Sequence, residues 1–140
     1  MSALHLKLFL ELNRAHAVAT RRFAAELGSV HGLGLNDLQL LSLLADAPEA
    51  RLRRIDLAQA LGVTPSGVTW MLRPLAKRRL VTSQASASDA RVTFAVLTDA
   101  GRRLIAETIP SARQLAAELL GTPASKQELT RVTDLLARLT

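Results

Sequence analysis

Residues 64–79, Thr-Pro-Ser-Gly-Val-Thr-Trp-Met-Leu-Arg-Pro-Leu-Ala-Lys-Arg-Arg, carry the side chains best suited to meet a polyanion. At about 3.6 residues per turn, Ser66, Thr69, Trp70, Arg73 and Lys77 share one helical face. Val68, Met71, Leu72 and Leu75 share the opposite one. Thr64 is a helix cap, and Pro65 takes the first helical position, where its missing N–H costs nothing. Hydroxyls near that terminus sit where free N–H groups and the helix dipole favour an anion. Arg73 has the planar fork that binds guanine in bidentate fashion, which discriminates by about 1–3 kcal/mol. Lys77, Arg78 and Arg79 suit contacts to phosphate that are blind to sequence.

The distribution of charge agrees. The chain has 140 residues and a net charge of +6. From Arg51 to Arg103 ten basic residues face only Asp56, Asp89 and Asp99, a net of +7, and the remainder sums to −1. All the excess positive charge lies in the middle of the chain, including Arg53 and Arg54, an electrostatic footprint for a polyanion.

Other chemistries are thinly provided. There is no cysteine, which excludes disulfides, zinc–thiolate sites and cysteine nucleophiles. No Gly-rich phosphate loop, His-Glu-x-x-His or Gly-x-Ser-x-Gly is present, so the expectation is a protein that is not an enzyme. His5, His16 and His31 never fall four apart on a helix, and no metal or other cofactor is expected. No apolar run reaches the roughly 20 residues that span a bilayer, and the N-terminus lacks a signal-peptide layout. A cytoplasmic protein with no membrane partner is expected.

The elements that must position residues 64–79 are mostly helical, as the Ala- and Leu-rich, aromatic-poor composition favours. Residues 3–27 read as one helix apolar on more than one side, which calls for cover from a second chain. Gly28, Gly32 and Gly34 break it. Asn36 with Gln39 reads as the capped start of a helix to Ala45, with Leu38, Leu41 and Leu44 inward and Pro48 beyond its end. Residues 50–53 form a very short strand. Ile55–Leu61 is a helix with Ile55, Ala58 and Leu61 inward, closed by Gly62. Val63 packs back before Thr64 opens the next helix, so two helices meet across three residues, the spacing of a helix-turn-helix. Residues 80–84 and 92–97 read as two strands around a small polar tip, with Val92, Phe94 and Val96 on one face. Thr98 caps a long helix kinked at Pro110 and stopped by Gly121-Thr122-Pro123. Ser125 to Glu128 is a capping box for a last helix with a seam of Leu129, Val132, Leu136 and Leu139.

This order resembles the MarR family of bacterial winged-helix regulators. The likeness is carried by Leu-Ala-Gln-Ala-Leu-Gly-Val-Thr-Pro-Ser-Gly-Val-Thr (57–69), Arg-Leu-Val (79–81), Asp89-Ala90-Arg91 and Leu-Thr-Asp-Ala-Gly (97–101), in sequence over almost the whole chain. It implies a mostly α fold with a small β wing, a winged helix-turn-helix at 31–103 with dimerisation helices at 1–30 and 104–140. It also implies a homodimer on a pseudo-palindromic double-stranded DNA operator, and a repressor released by a small-molecule effector. On this reading Thr64, Ser66, Thr69, Trp70, Arg73 and Lys77 form the recognition helix's contacts. Asp89 and Arg91 serve the wing, and Arg53, Arg54, Arg78 and Arg79 serve the DNA backbone. His16 and His31 are candidate effector residues. The alternative is a winged-helix protein-interaction module that no longer reads an operator.

The chain also departs from the family pattern. Ala90 and Ser83 stand where basic residues are usual, Trp70 replaces a frequent Arg, Pro74 interrupts the helix, and Arg79 replaces a glycine. Pro74 has no N–H for the Trp70 carbonyl, which predicts a kink there or a cost of about 3 kcal/mol. A left-handed turn at Arg79 is costlier than at glycine.

Overall fold

The computed structural model describes residues 2–121 and 124–140. Its first helix, α1 (Ala3–His31), starts where the Ser2 hydroxyl accepts from the Leu4 N–H (3.1 Å). It runs straight through Gly28, which the sequence places as a break, because a glycine weakens a helix interior without stopping it. The end comes at Gly32, left-handed at φ 68°, whose N–H closes on the Gly28 carbonyl. α2 (Leu35–Asp46) is capped two residues earlier than predicted. The Gly34 N–H donates to Asp37 (3.0 Å), so Asn36 and Gln39 lie within the helix and form no capping box. Leu38, Leu40, Leu41 and Leu44 are all buried.

A 3₁₀ turn at Pro48–Ala50 leads into β1 (Arg51–Arg53) and α3 (Arg54–Leu61). α3 buries Leu57 and Ala58, whereas Ile55, expected inward, is exposed. Ile55 lies in the first turn of an eight-residue helix, beside Pro65 and Val92 at the rim of the domain. Gly62, left-handed at φ 67°, closes α3. The Val63 N–H returns to the Ala58 carbonyl, although its side chain remains partly exposed. α4 (Pro65–Lys77) then begins with the Thr64 hydroxyl accepting from the Gly67 N–H (3.1 Å).

β2 (Val81–Ala85) and β3 (Thr93–Leu97) form an antiparallel hairpin, and β1 adds to the other side of β3, giving the order β1–β3–β2. Ala95 and Leu97 are the buried residues of β3. Phe94 and Val96 face the other way, where the Arg51 guanidinium lies 4.5 Å from the Phe94 ring centre. α5 (Asp99–Leu120) is capped by Thr98, and Ile105, Ala112 and Leu115 pack inward. Helical backbone continues through both Pro74 and Pro110. The start of α6 (Lys126–Ala137) is the predicted reciprocal box. Ser125 N–H donates to Glu128 (2.8 Å), and Glu128 N–H donates to the Ser125 hydroxyl (3.2 Å). Thr122 and Pro123, expected to stop α5, lie outside the described residues. No helix among the described residues is long and apolar enough to cross a membrane.

One core of Leu27, Leu33, Leu40, Leu41, Leu57, Val68 and their neighbours joins the helix-turn-helix, the sheet and the inner ends of α1 and α5. The outer ends are different. In α1 only Phe23 and Leu27 are buried, and α6 buries nothing.

Candidate nucleic-acid interface

α4 displays the division its sequence requires. Val68, Leu72 and Leu75 are buried, and Ser66, Thr69, Trp70, Arg73 and Lys77 all stand on the exposed side. The inward stripe fixes the rotation of the helix about its axis. That rotation decides which side chains reach outward, so core packing determines the composition of the reading face. Near the N-terminus the Ser66 hydroxyl lies 3.2 Å from the Thr64 hydroxyl, and the Thr69 hydroxyl donates back to the Pro65 carbonyl (3.3 Å). Both exposed oxygens retain acceptor capacity, and the Thr69 proton is already committed.

Further along, the Arg73 guanidinium lies over the Trp70 indole, 4.9 Å from its ring centre. Trp70 is 69 % exposed and does not pack against the wing. Arg54 approaches from α3 and donates to the Ser83 hydroxyl (3.2 Å). With Thr69 and Arg73 it lines a cleft of about 200 Å³ between α4 and β2. An arginine from α3 thus stands beside the position where Ser83 replaces a basic residue. The Arg54 Nε is buried and has no hydrogen-bond partner.

At the wing tip, Asp89 accepts from the Arg91 backbone N–H (3.0 Å) and from its Nε (3.2 Å). The backbone N–H first, and then the side chain, hold the Asp89 carboxyl below the ordinary carboxylate range. A lowered value means the clasp is complete above the usual aspartate pKa of about 4 and is lost only as the pH falls below that range through the lowered folded-state value. The Arg91 side chain is 90 % exposed, so the clasp orients it without enclosing it.

The other predicted backbone cations are placed less uniformly. Arg53 makes a bidentate pair with Asp56 (2.7 and 3.1 Å), which raises its pKa and offsets its charge. Arg78 turns away from the reading face and donates to the carbonyls of Gly32 (2.6 Å) and His31 (3.4 Å) at the end of α1. That contact spans 46 residues and carries no local signal. Arg79 is left-handed at φ 59°, and its carbonyl accepts from the Thr98 hydroxyl (2.7 Å).

The two candidate effector histidines are not brought together. His16 borders an open groove of about 510 Å³ between α1 and the end of α5. His31 borders a smaller cleft of about 170 Å³ with Glu26, Ser111, Gln114 and Glu118, and its Nε2 is buried without a partner.

Comparison with known proteins agrees with this arrangement. Residues 31–92 match the family model described as MarR family. The chain is 27 % identical over 138 residues to the HTH-type transcriptional regulator MhqR of Bacillus subtilis (strain 168), covering 99 % of this chain and 92 % of that one. Sco3205, a MarR family transcriptional regulator from Streptomyces coelicolor solved in complex with DNA, matches with a TM-score of 0.87 at 22 % identity. The match covers 99 % of this chain and 90 % of Sco3205. Bordetella bronchiseptica BpsR, whose DNA binding is regulated by 6-hydroxynicotinic acid, matches with a TM-score of 0.80 at 22 % identity, covering 95 % and 98 %. At such identities the structural likeness establishes the fold.

Proposed function

We propose that this chain, whose residues 31–92 match the MarR family model, is a homodimeric, sequence-specific regulator of transcription that binds a pseudo-palindromic operator in double-stranded DNA. The observation that carries this reading is the outward face of α4, where Ser66, Thr69, Trp70, Arg73 and Lys77 stand opposite the buried Val68, Leu72 and Leu75. That face enters the major groove, with Arg73 and Lys77 supplying charge and Thr64, Ser66 and Thr69 approaching from the capped end. Arg91, oriented by Asp89, reaches the minor groove from the wing tip. Arg54, Arg79 and the partly neutralised Arg53 add phosphate contacts; Arg78 serves α1 instead.

The second copy covers the outer ends of α1, α5 and α6, which correspond to the division into dimerisation regions 1–30 and 104–140 and a reading region 31–103. Leu8, Phe9, Val132, Leu136 and Leu139 line an almost wholly apolar groove of about 400 Å³ there. A large apolar patch of this kind marks an interaction surface. The finer reading is a repressor released by a small molecule. It draws on the regulated DNA binding of BpsR and on the unpartnered His31 Nε2 beside its cleft.

Selection of binding sites from random duplex DNA, followed by affinity measurements across a salt series, tests the reading. The expected result is a site with two related halves and an affinity that falls steeply and linearly in log–log form as salt rises. No selected sequence and a flat salt response would overturn it and favour the protein-interaction module.

A further inference from the structure

Trp70 is the one large apolar side chain on the outward face of α4, and it is the only tryptophan in the chain. The ring is 69 % exposed, with the Arg73 guanidinium lying over it. Its exposed neighbours along the helix are the polar Ser66, Thr69, Arg73 and Lys77 and the small ring of Pro74. An exposed indole of this size is hydrophobic area waiting for an apolar surface. The major groove offers a single kind of apolar group, the C5-methyl of thymine or of 5-methylcytosine.

The second half of the observation is Arg73. Its guanidinium is stacked on the Trp70 ring, 4.9 Å from the centre. Stacking restricts the swing of a long side chain and aims its planar fork beside the ring. Residues three apart on a helix have Cβ atoms about 5–6 Å from one another, more than the rise of about 3.4 Å between base pairs, so the two side chains address neighbouring pairs rather than one. The fork is the group that binds guanine O6 and N7 together.

We propose that Trp70 and Arg73 act as one composite reader of a base-pair step, in which a methyl-bearing pyrimidine lies next to a guanine. Trp70 is then a specificity-determining residue that senses the C5-methyl, and it holds Arg73 over the adjacent guanine. This rests on the DNA-binding reading above and adds the identity of the step.

The test uses the full-length protein and synthetic duplexes carrying the sequence it selects from random DNA. Each thymine is replaced in turn by deoxyuridine, which removes only the methyl, and affinity is followed by the emission of Trp70 itself and by anisotropy of labelled DNA. One deoxyuridine, next to a guanine in each half-site, is expected to weaken wild-type binding roughly 4–15-fold, the worth of one or two buried methyl groups. Cytosine at that position weakens binding similarly, and 5-methylcytosine restores it. Trp70→Ala, which removes an exposed ring and leaves the core untouched, binds thymine and deoxyuridine duplexes equally. Trp70→Phe keeps a reduced preference for the methyl. The proposal is overturned if wild type is indifferent to every deoxyuridine, if Trp70→Ala retains the discrimination, or if Trp70 emission is unchanged at saturation. A wild-type chain that selects no sequence at all overturns the DNA-binding reading itself, and this inference with it.

Discussion

Gly101 lies where the long helix α5 meets the end of the reading helix, and its substitution offers a quantitative test of that junction. A Cβ built on Gly101 lies 2.2 Å from the Leu80 carbonyl oxygen and 2.7 Å from Leu97 Cδ1. Both are more than about 0.5 Å inside ordinary contact. Backbone has to move, because the nearest atom is a carbonyl oxygen and not the flexible end of a side chain. That carbonyl already accepts from the Thr98 N–H (3.1 Å) and the Thr98 hydroxyl (3.0 Å). Displacing it strains or breaks both bonds.

Gly101→Ala therefore carries an overpacking cost of about 1–3 kcal/mol and a loss of about 0.5–1.5 kcal/mol for each bond broken. The usual gain on replacing a helical glycine, about 0.5–1 kcal/mol, offsets part of this. With both bonds lost, the expected net loss is about 1–5 kcal/mol. Gly28→Ala is the matched control, since Gly28 is also helical and nothing lies within 4 Å of its added Cβ. It should be more stable than wild type by about 0.5–1 kcal/mol. Urea unfolding of the three proteins at one fixed concentration measures both, the concentration being held because dimerisation shifts the midpoint. A Gly101→Ala midpoint equal to or above wild type would refute the account of the junction, and equal effects at the two glycines would show that only helix propensity matters.

The remaining predictions concern the same corner and the outer helices. Arg79→Gly relieves a left-handed residue of about 1–2 kcal/mol of strain at the cost of a more flexible unfolded chain, so a net gain of about 0.5–1 kcal/mol is expected in the same urea assay; a lower midpoint counts against it. Arg78→Ala removes a charged donor from the end of α1 and should cost about 1 kcal/mol, with faster amide hydrogen exchange confined to the last turn of α1 and the residues after it. Unchanged exchange there would mean that the 2.6 Å contact contributes nothing in solution. Val132→Asp places a charge in the apolar groove between α1 and α6, and sedimentation should then report the 15.1 kDa monomer where wild type sediments as a dimer. A variant that sediments as wild type would place the dimer interface elsewhere.

How much of this was legible in the sequence follows from the range of each interaction. Gly62, Thr64 and Pro65 act within four residues of themselves, and the turn between α3 and α4 forms as their types dictate. The same holds for Ser125 with Glu128 and for Asp89 with Arg91. Periodicity found the buried stripe of α4 for the same reason. It failed for Ile55, because spacing gives the phase of a helix but not where the core stops along it. It also failed at Gly28 against Gly32, since both are glycines and only the second meets a chain reversal. Within the reading face, the stacking of Arg73 on Trp70 is an i, i+3 contact and was open to inference, whereas the Arg54–Ser83 bond joins elements 29 residues apart.

The hardest case is the corner at residues 78–80, and it explains why the departures there are tolerated. Arg79 adopts φ 59° without a glycine's freedom, a conformation that persists only where the surroundings over-determine it. Three contacts do so. Arg78 is fastened to the Gly32 carbonyl, the Arg79 carbonyl to the Thr98 hydroxyl, and the Leu80 carbonyl to the Thr98 N–H. Together they tie α4's end to two long helices, one contact reaching α1 through Gly32 and two reaching α5 through its cap Thr98. The strain at Arg79 is thus held by the same bonds that orient the reading helix against α1 and α5. A change at the end of either helix is therefore expected to reach α4 through this corner before it reaches the exposed face that carries Trp70 and Arg73.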